Sequence, residues 1–429
     1  MKKIFTILLA AMALAMSCTQ NGAEKLATVR ISIESEESEL DKEGIAVTLR
    51  DLNGTTQYNA VSDASGIATF TVPNGVYEAS ASCYFEDFVY NGINSSINAV
   101  GGENDFKLNL KKSRISSIVL KEAYFGGILD NNGKNFTGDD YFILYNNSAS
   151  VVDISNYSFA FCNPYNSGST NKYLVDGKLI YENQGWLPAG CAVWWFTSKV
   201  EIQPYSQIVI SLGGAIDHSQ AFPNAVDLSN PDYYVMYDIE SGFNNAAQYP
   251  SPSAGIPESH YLKTYRYAMG NAWVLSQLSP AIFISNQPGM EAYVKNPDNL
   301  DRTENAKIPN AKLLSDNVVD AVEVFATTSV DKNNKRLPAS IDAGYVMFTS
   351  KNGYSIYRNV NKEATLAIEG NAEKLVYNYA GGTENVEGST DPSGIDAEAS
   401  IANGAKIVYM DTNNSTKDFH QRAKASLRK

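Results

Sequence analysis

From Ala27 onward the chain alternates apolar and polar residues with a period of two, the pattern of a strand with one buried face. "ATVRISIES" (27–35) opens the series, which continues through "GIAVTLRDLNGTTQYNAVSDASGIATFTVPNGVYEASASCYF" and closes with "NDFKLNLKK". "DLNGT" reads as a hairpin turn, because Asn-Gly readily adopts positive φ. "SDASG" (62–66) and "PNGVY" (73–77) mark further turns. About seven short strands in about 85 residues predict a small β-sandwich, placed at residues 27–112. "KKSRISS" (111–117) is the expected boundary.

The residues "DASGIATF…VPNGVYEASAS" resemble the prealbumin-like and carboxypeptidase-regulatory-like sandwich modules, with their D-x-x-G-x-x-x-F…P-x-G-x-Y signature. The resemblance implies that Asp63 caps a turn, Gly66 takes a special backbone geometry, Phe70 enters the core and Gly75–Tyr77 starts the next strand. It implies a scaffold or spacer, not catalysis.

Beyond residue 113 the apolar runs become longer. "ISSIVLKEAYFGG" precedes the polar stretch "ILDNNGKNFTGD", and "DYFILYNNSASVVDISNYSFAFC" follows. These runs, with "IQPYSQIVIS" (202–211) and "VVDAVEVF" (318–325), resemble the strands of bacterial lamin-tail-like domains in order. Leu144 stands where that pattern usually has an acidic residue. With "RLPASIDAGYVMF", "GYSIYRNV" and the terminal "DTNNSTKDF", the chain resembles an uncharacterised lipoprotein family of Bacteroidota, a domain of unknown function related to the lamin-tail sandwich. The fold expected is therefore all-β. A small prealbumin-like sandwich precedes a larger lamin-tail-like, Ig-like sandwich at 113–429, with inserts near 163–185, 213–272 and 378–405. Long loops without regular structure are usually functional or mobile.

The N-terminus is a targeting signal. Lys2 and Lys3 precede the apolar run "IFTILLAAMALAM", which ends in "AMSC". The run is too short to span a bilayer. "AMSC" resembles a lipobox, which implies a signal peptide at 1–17 and an acylated Cys18, followed by a tether at 18–26. Several acyl chains on one cysteine give durable attachment to a lipid bilayer. The expected location is the outer membrane, on the periplasmic or cell-surface face. No later segment has eighteen apolar residues in a row, so the remainder is expected to be soluble. Of the other cysteines, Cys162 and Cys191 either form a pair or, with Cys83, stay free; unpaired thiols are commonly buried, which favours the second reading.

The formal charge of −13 over 429 residues and the lack of a basic stripe argue against nucleic-acid binding. The chain has no G-x-S-x-G elbow, no H-E-x-x-H and no phosphate loop. His218, His260 and His420 read as surface or turn residues. Asp139–Asp140 suit a turn better than a catalytic dyad, since neighbours on a strand point to opposite faces. No catalytic residue and no cofactor are predicted. Calcium is the one metal with candidate ligands, Asp130 and Asn132 in "DNNGKNFTGDD" and Asp411 and Asn413 in "DTNNSTKD"; neither stretch has the EF-hand register. Asp411, Asn413 and Asn414 more readily build Asx-turns that close the sandwich, with Phe419 as an apolar plug.

The aromatic insert is the sharpest candidate site: Tyr233, Tyr234, Tyr237, Tyr249, Tyr261, Tyr265, Tyr267 and Trp273. Exposed rings beside Asn and Asp suit sugars, planar ligands or a protein; the alternative is that they pack beneath their own loop. The expectation is a non-enzymatic, membrane-anchored binding or interaction lipoprotein, by analogy an accessory to a TonB-dependent outer-membrane transporter. The alternatives are a loop-carboxylate hydrolase of glycans or peptides, and a structural envelope or adhesion component.

Overall fold

The computed structural model describes residues 25–428, apart from positions 55, 86–87, 221, 268–269, 329 and 384–388. The expected signal peptide, Cys18 and the tether up to residue 24 lie outside the described residues. The chain is mainly β, and its described α-helices are short: Met290–Lys295, Lys362–Leu366, Ala397–Ala402 and Ser415–Asp418.

The first unit contains β1 (Leu26–Glu34), β2 (Ala46–Asp51), β3 (Gln57–Val61), β4 (Ile67–Pro73), β5 (Gly75–Phe85), β6 (Phe88–Ala99), β7 (Gly102–Asn109) and β8 (Lys111–Arg114). One sheet has the order β4-β1-β7, and the other β3-β2-β5-β6-β8. The alternating residues Val29, Ile31 and Ile33 of β1 meet Val47, Leu49, Phe70, Tyr77 and Leu108 in one core. Asp63 closes its turn by accepting the amides of Ser65 at 2.8 Å and Ile67 at 3.1 Å. Gly66 has φ +74°, a conformation that disfavours side chains. The Tyr77 hydroxyl donates to the Pro73 carbonyl at 2.7 Å. β2 and β3 form the expected hairpin, but neither Asn53 nor Gly54 takes positive φ. Asp51 stabilises that turn instead, accepting the Asn53 amide at 2.8 Å. β8 pairs with β6 up to Arg114, so the first unit runs past residue 112 and residues 115–117 form the join.

Two six-stranded sheets face each other in the second unit. The first has the order Tyr234–Val235, Gln207–Ser211, Tyr141–Asn146, Ile118–Tyr124, Ser355–Arg358, Phe419–Arg422. The second has the order Lys263–Arg266, Ala192–Trp195, Ser158–Phe161, Ala281–Ser285, Val318–Ala326, Val346–Phe348. Leu120, Phe142, Leu144, Ile210 and Ile356 from one sheet pack against Phe159, Trp194, Ile282, Val322 and Phe348 from the other. The position where the resemblance leads one to expect an acid is thus a core leucine.

Both outer faces are covered as well. Val119, Tyr145 and Tyr357 lie under Ile395, Ala397, Ile407 and Tyr409. Tyr141, Ile143 and Val209 lie under Val226, Leu228 and Ala425. On the second sheet, Val193, Trp195 and Phe283 lie under Tyr173, Tyr181, Leu313 and Val294. A strand buried on two faces has no solvent-facing row to keep polar, which explains the near-continuous apolar runs. The three long inserts supply much of this cover.

Candidate functional site

The join between the two units is concave. Ile115, Ser116 and Ser117 border two clefts, of about 680 Å³ and about 600 Å³. The larger is lined mainly by amides and hydroxyls, including Ser116, Asn286, Asn317 and Ser340, with Tyr157 and Lys112 at its wall. The other lies between Tyr84 and Phe88 of the first unit and Asn147, Asn361 and Tyr409 of the second. A third concavity, of about 590 Å³, continues along the same edge through Ser155, Asn156 and Gln287 to Trp195, Phe196 and Met290. Asn317 donates to Gln287 Oε1 at 2.5 Å, linking the walls of the first and third.

Beneath this region lies a buried charge cluster. Arg358 emerges from an apolar strand and stacks over Phe419, 4.3 Å from its ring centre. Its Nη2 meets Asp320 Oδ2 at 2.5 Å, and its Nη1 lies 3.7 Å from both Asp411 and Asp418. It also donates to the carbonyls of Leu120 at 2.9 Å and Met410 at 2.8 Å. Three carboxyl groups surround one guanidinium out of water, so a single cation cannot balance all three in their ionised form. Burial, reinforced by repulsion from Asp320, pushes the Asp411 carboxyl up to about 8 despite Arg358. Burial raises Asp418 to about 6, with Arg358 and the Thr412 hydroxyl opposing it. Asp411 also ties the units together. Its Oδ2 accepts the Ser116 amide at 3.1 Å, and its carbonyl accepts the Tyr84 hydroxyl at 3.0 Å.

The C-terminal polar stretch is therefore a structural knot. Asn413 takes φ 50°, Asn414 caps the helix Ser415–Asp418 by accepting the Thr416 amide, and Phe419 is buried in the core. Asp411 builds no local turn and reaches Arg358 and the join. The other calcium candidate, Asp130, accepts the amides of Asn132 at 2.9 Å and Lys134 at 2.8 Å, closing its own loop. Among the described residues, no group of three or more His, Cys, Asp or Glu side chains is placed to hold a metal ion.

The aromatic candidates gather under their own insert and line none of the three concavities. Tyr249 and Trp273 are core residues beside Trp194 and Phe243. Tyr234 stacks on His260, Tyr237 on Tyr249, and Tyr265 edges onto Tyr267. Tyr261 packs with Tyr237, and Tyr233 lies half-buried against the Val226–Leu228 cluster. Apart from the core residues Tyr249 and Trp273, these rings are half-buried cover of the sandwich.

Two histidines differ from their surface reading. His218 is buried, with Nε2 at 2.9 Å from the Gly214 carbonyl. His420 sits in the edge strand Phe419–Arg422, buried by the 378–405 insert. Its Nδ1 donates to Asn359 Oδ1 at 2.7 Å, and its Nε2 accepts the Tyr379 hydroxyl at 2.7 Å. Burial, with Arg422 nearby, pushes its pKa down to about 3. Asp139 stands in a turn as expected, but both it and Asp140 are buried. Asp139 Oδ2 accepts the Val226 amide at 2.9 Å, and burial raises both carboxyls, Asp139 to about 6. Cys83, Cys162 and Cys191 are free thiols.

Sequence reading passes over the other buried ions. Arg336 and Glu323 are fully enclosed and paired at 2.6 Å, and Lys121 meets Glu398 at 2.7 Å. A signal exists: "VVDAVEVF" and "IVLKEAYF" each place two charged residues inside an apolar run, and a charge buried there needs a partner.

The catalogued proteins of known function contain no sequence match. Residues 203–374 match the family model described as "Protein of unknown function (DUF4876)". The crystal structure of a DUF4876 family protein from Bacteroides thetaiotaomicron superposes with a TM-score of 0.51 at 19% identity, over 92% of this chain and 94% of that one. A DUF3823 family protein from Parabacteroides merdae has a TM-score of 0.17 at 9% identity, covering 44% of this chain and 80% of its own. The Bacillus anthracis TIE protein has 0.16 at 12%, covering 33% and 40%. Neither of the latter two values carries an argument. This chain thus contains a DUF4876 family domain at residues 203–374, within a β-rich fold similar to that of the Bacteroides protein.

Proposed function

We propose that this chain is a membrane-anchored, extracytoplasmic binding lipoprotein. In this reading Cys18 carries the acyl chains at the outer membrane. The first unit is a prealbumin-like spacer, and the second a lamin-tail-like sandwich that presents the join to a ligand or partner protein. A TonB-dependent transporter is the partner class, by analogy with similar lipoproteins. The observation that carries the reading is the amide- and hydroxyl-lined cleft of about 680 Å³ at the join, a concave surface with convergent polar groups. Hydrolysis by paired carboxylates fits it less well. Of the two acids at its wall, Asp320 is occupied by Arg358 and by the amides of Leu120 and Ala321, leaving Asp316.

The test is an affinity pull-down of the tagged, acylated protein from native membranes, with mass spectrometry of what accompanies it. A stoichiometric transporter, diminished by Asn286→Ala with Asn317→Ala, supports the reading. Turnover of glycans or peptides by the purified protein refutes it in favour of the hydrolase.

A further inference from the structure

One end of the first unit is apolar. Leu26 and Val100 are each 56% exposed, and Val76 and Leu52 are each 40% exposed. The strand pairings bring them together. Leu26 pairs with Pro73 across β1 and β4, and Val76 pairs with Asn98 across β5 and β6. The Leu52 amide donates to the Val76 carbonyl at 2.9 Å, and the Asn74 amide to the Lys25 carbonyl at 2.9 Å. The turns after β2, β4 and β6 and the first described residues therefore share one end of the sandwich. Turn tips are normally Gly, Asn, Asp or Ser, yet here aliphatic side chains flank three of them. Ile239, more exposed at 84%, stands alone on its own loop, and such isolated apolar residues need no explanation.

The sequence supplies the occupant. Seven residue steps separate Cys18 from Lys25, which fully extended span at most about 25 Å. An acylated Cys18 holds Lys25, and with it this pole, within that distance of the lipid. We infer that the Leu26–Leu52–Val76–Val100 pole rests on the phospholipid bilayer, its aliphatic side chains in the interfacial region beside the anchor. Lys25 and Glu103, charges of opposite sign on the same rim, limit the contact to the interface. The inference rests on the anchoring reading above and adds to it a fixed orientation of the first unit.

The experiment uses the full acylated protein in vesicles of phosphatidylethanolamine and phosphatidylglycerol with brominated acyl chains, which quench indole at short range. The four native tryptophans are all buried in the second unit, a background that Val100→Trp adds to. Val61→Trp is the control, at a 63% exposed position at the other end of β3. The expected result is loss of the added V100W emission in brominated but not plain vesicles, with V61W unaffected. Equal quenching of both, or of neither, in acylated, vesicle-bound protein overturns the pole contact while leaving the anchor intact. Intact mass showing no acyl chain on Cys18 overturns both.

Discussion

The Asp411→Asn substitution probes the charge cluster at the join. An unfolded aspartate titrates near 3.9, whereas the folded Asp411 carboxyl is raised to about 8 by burial and by Asp320. Between these values the folded chain holds a proton that the unfolded chain has released. Stability therefore falls as pH rises, by up to about 1.4 kcal/mol per pH unit, until the folded group ionises and the loss levels off. From pH 5 to pH 7 the limiting loss from this group is about 3 kcal/mol. Asparagine imitates the protonated carboxyl, retains an acceptor for the Ser116 amide and cannot ionise. Its stability relative to wild type should accordingly rise by about 2 to 3 kcal/mol over that interval. Urea unfolding at pH 5 and pH 7, followed by tryptophan fluorescence, measures it; all four indoles report on the second unit. Taking the difference between variant and wild type cancels groups outside the cluster, such as His420, which shifts the opposite way. Parallel profiles for the two proteins would refute the proton on Asp411.

Removing the cation should do the reverse. Arg358→Met leaves Asp320, Asp411 and Asp418 buried without their counter-ion, and a loss of about 3–5 kcal/mol is expected in the same urea assay. His420 predicts an acid limb: its pKa falls from the ordinary 6.5 to about 3, so its contribution is complete above pH 6.5 and is lost as pH falls toward 3; His420→Gln should flatten that limb in pH-dependent melting. Trp273→Ala should cost about 3–5 kcal/mol, as a large core truncation does; a variant of unchanged stability that loses a ligand would mean the indole serves recognition. Thiol titration of the acylated protein in guanidinium without reductant should count Cys83, Cys162 and Cys191 as free; a count lower by two indicates a bridge.

Period-two alternation was enough to find strands of the first unit such as Leu26–Glu34 and Ile67–Pro73, because each alternates a core face with a more exposed one. The turn at Asp63, the left-handed Gly66, the core ring Phe70 and the strand that starts at Gly75 agree with what the prealbumin-like resemblance implies. The long apolar strands of the second unit were equally legible as strands. Their cover was not. "YFILYN" shows that both faces are buried, but nothing in it says that residues 395–409 lie over one half and Val226 and Ala425 over the other. That is why the three inserts, long and polar enough to suggest a binding face, also form outer layers of the sandwich, and why His420 is a buried neutral base.

The division has a physical cause. Strand period, turn type, signal segment and net charge depend on neighbours within a few residues, so the sequence by itself determines the β class, the small sandwich and the expected anchor. The clefts at residues 115–117 and the meeting of Arg358 with Asp320, Asp411 and Asp418 depend on segments dozens to hundreds of positions apart. Only the paired sheets bring those charges together, and only their burial out of water gives Asp411 a proton that no local reading of "DTNN" could assign.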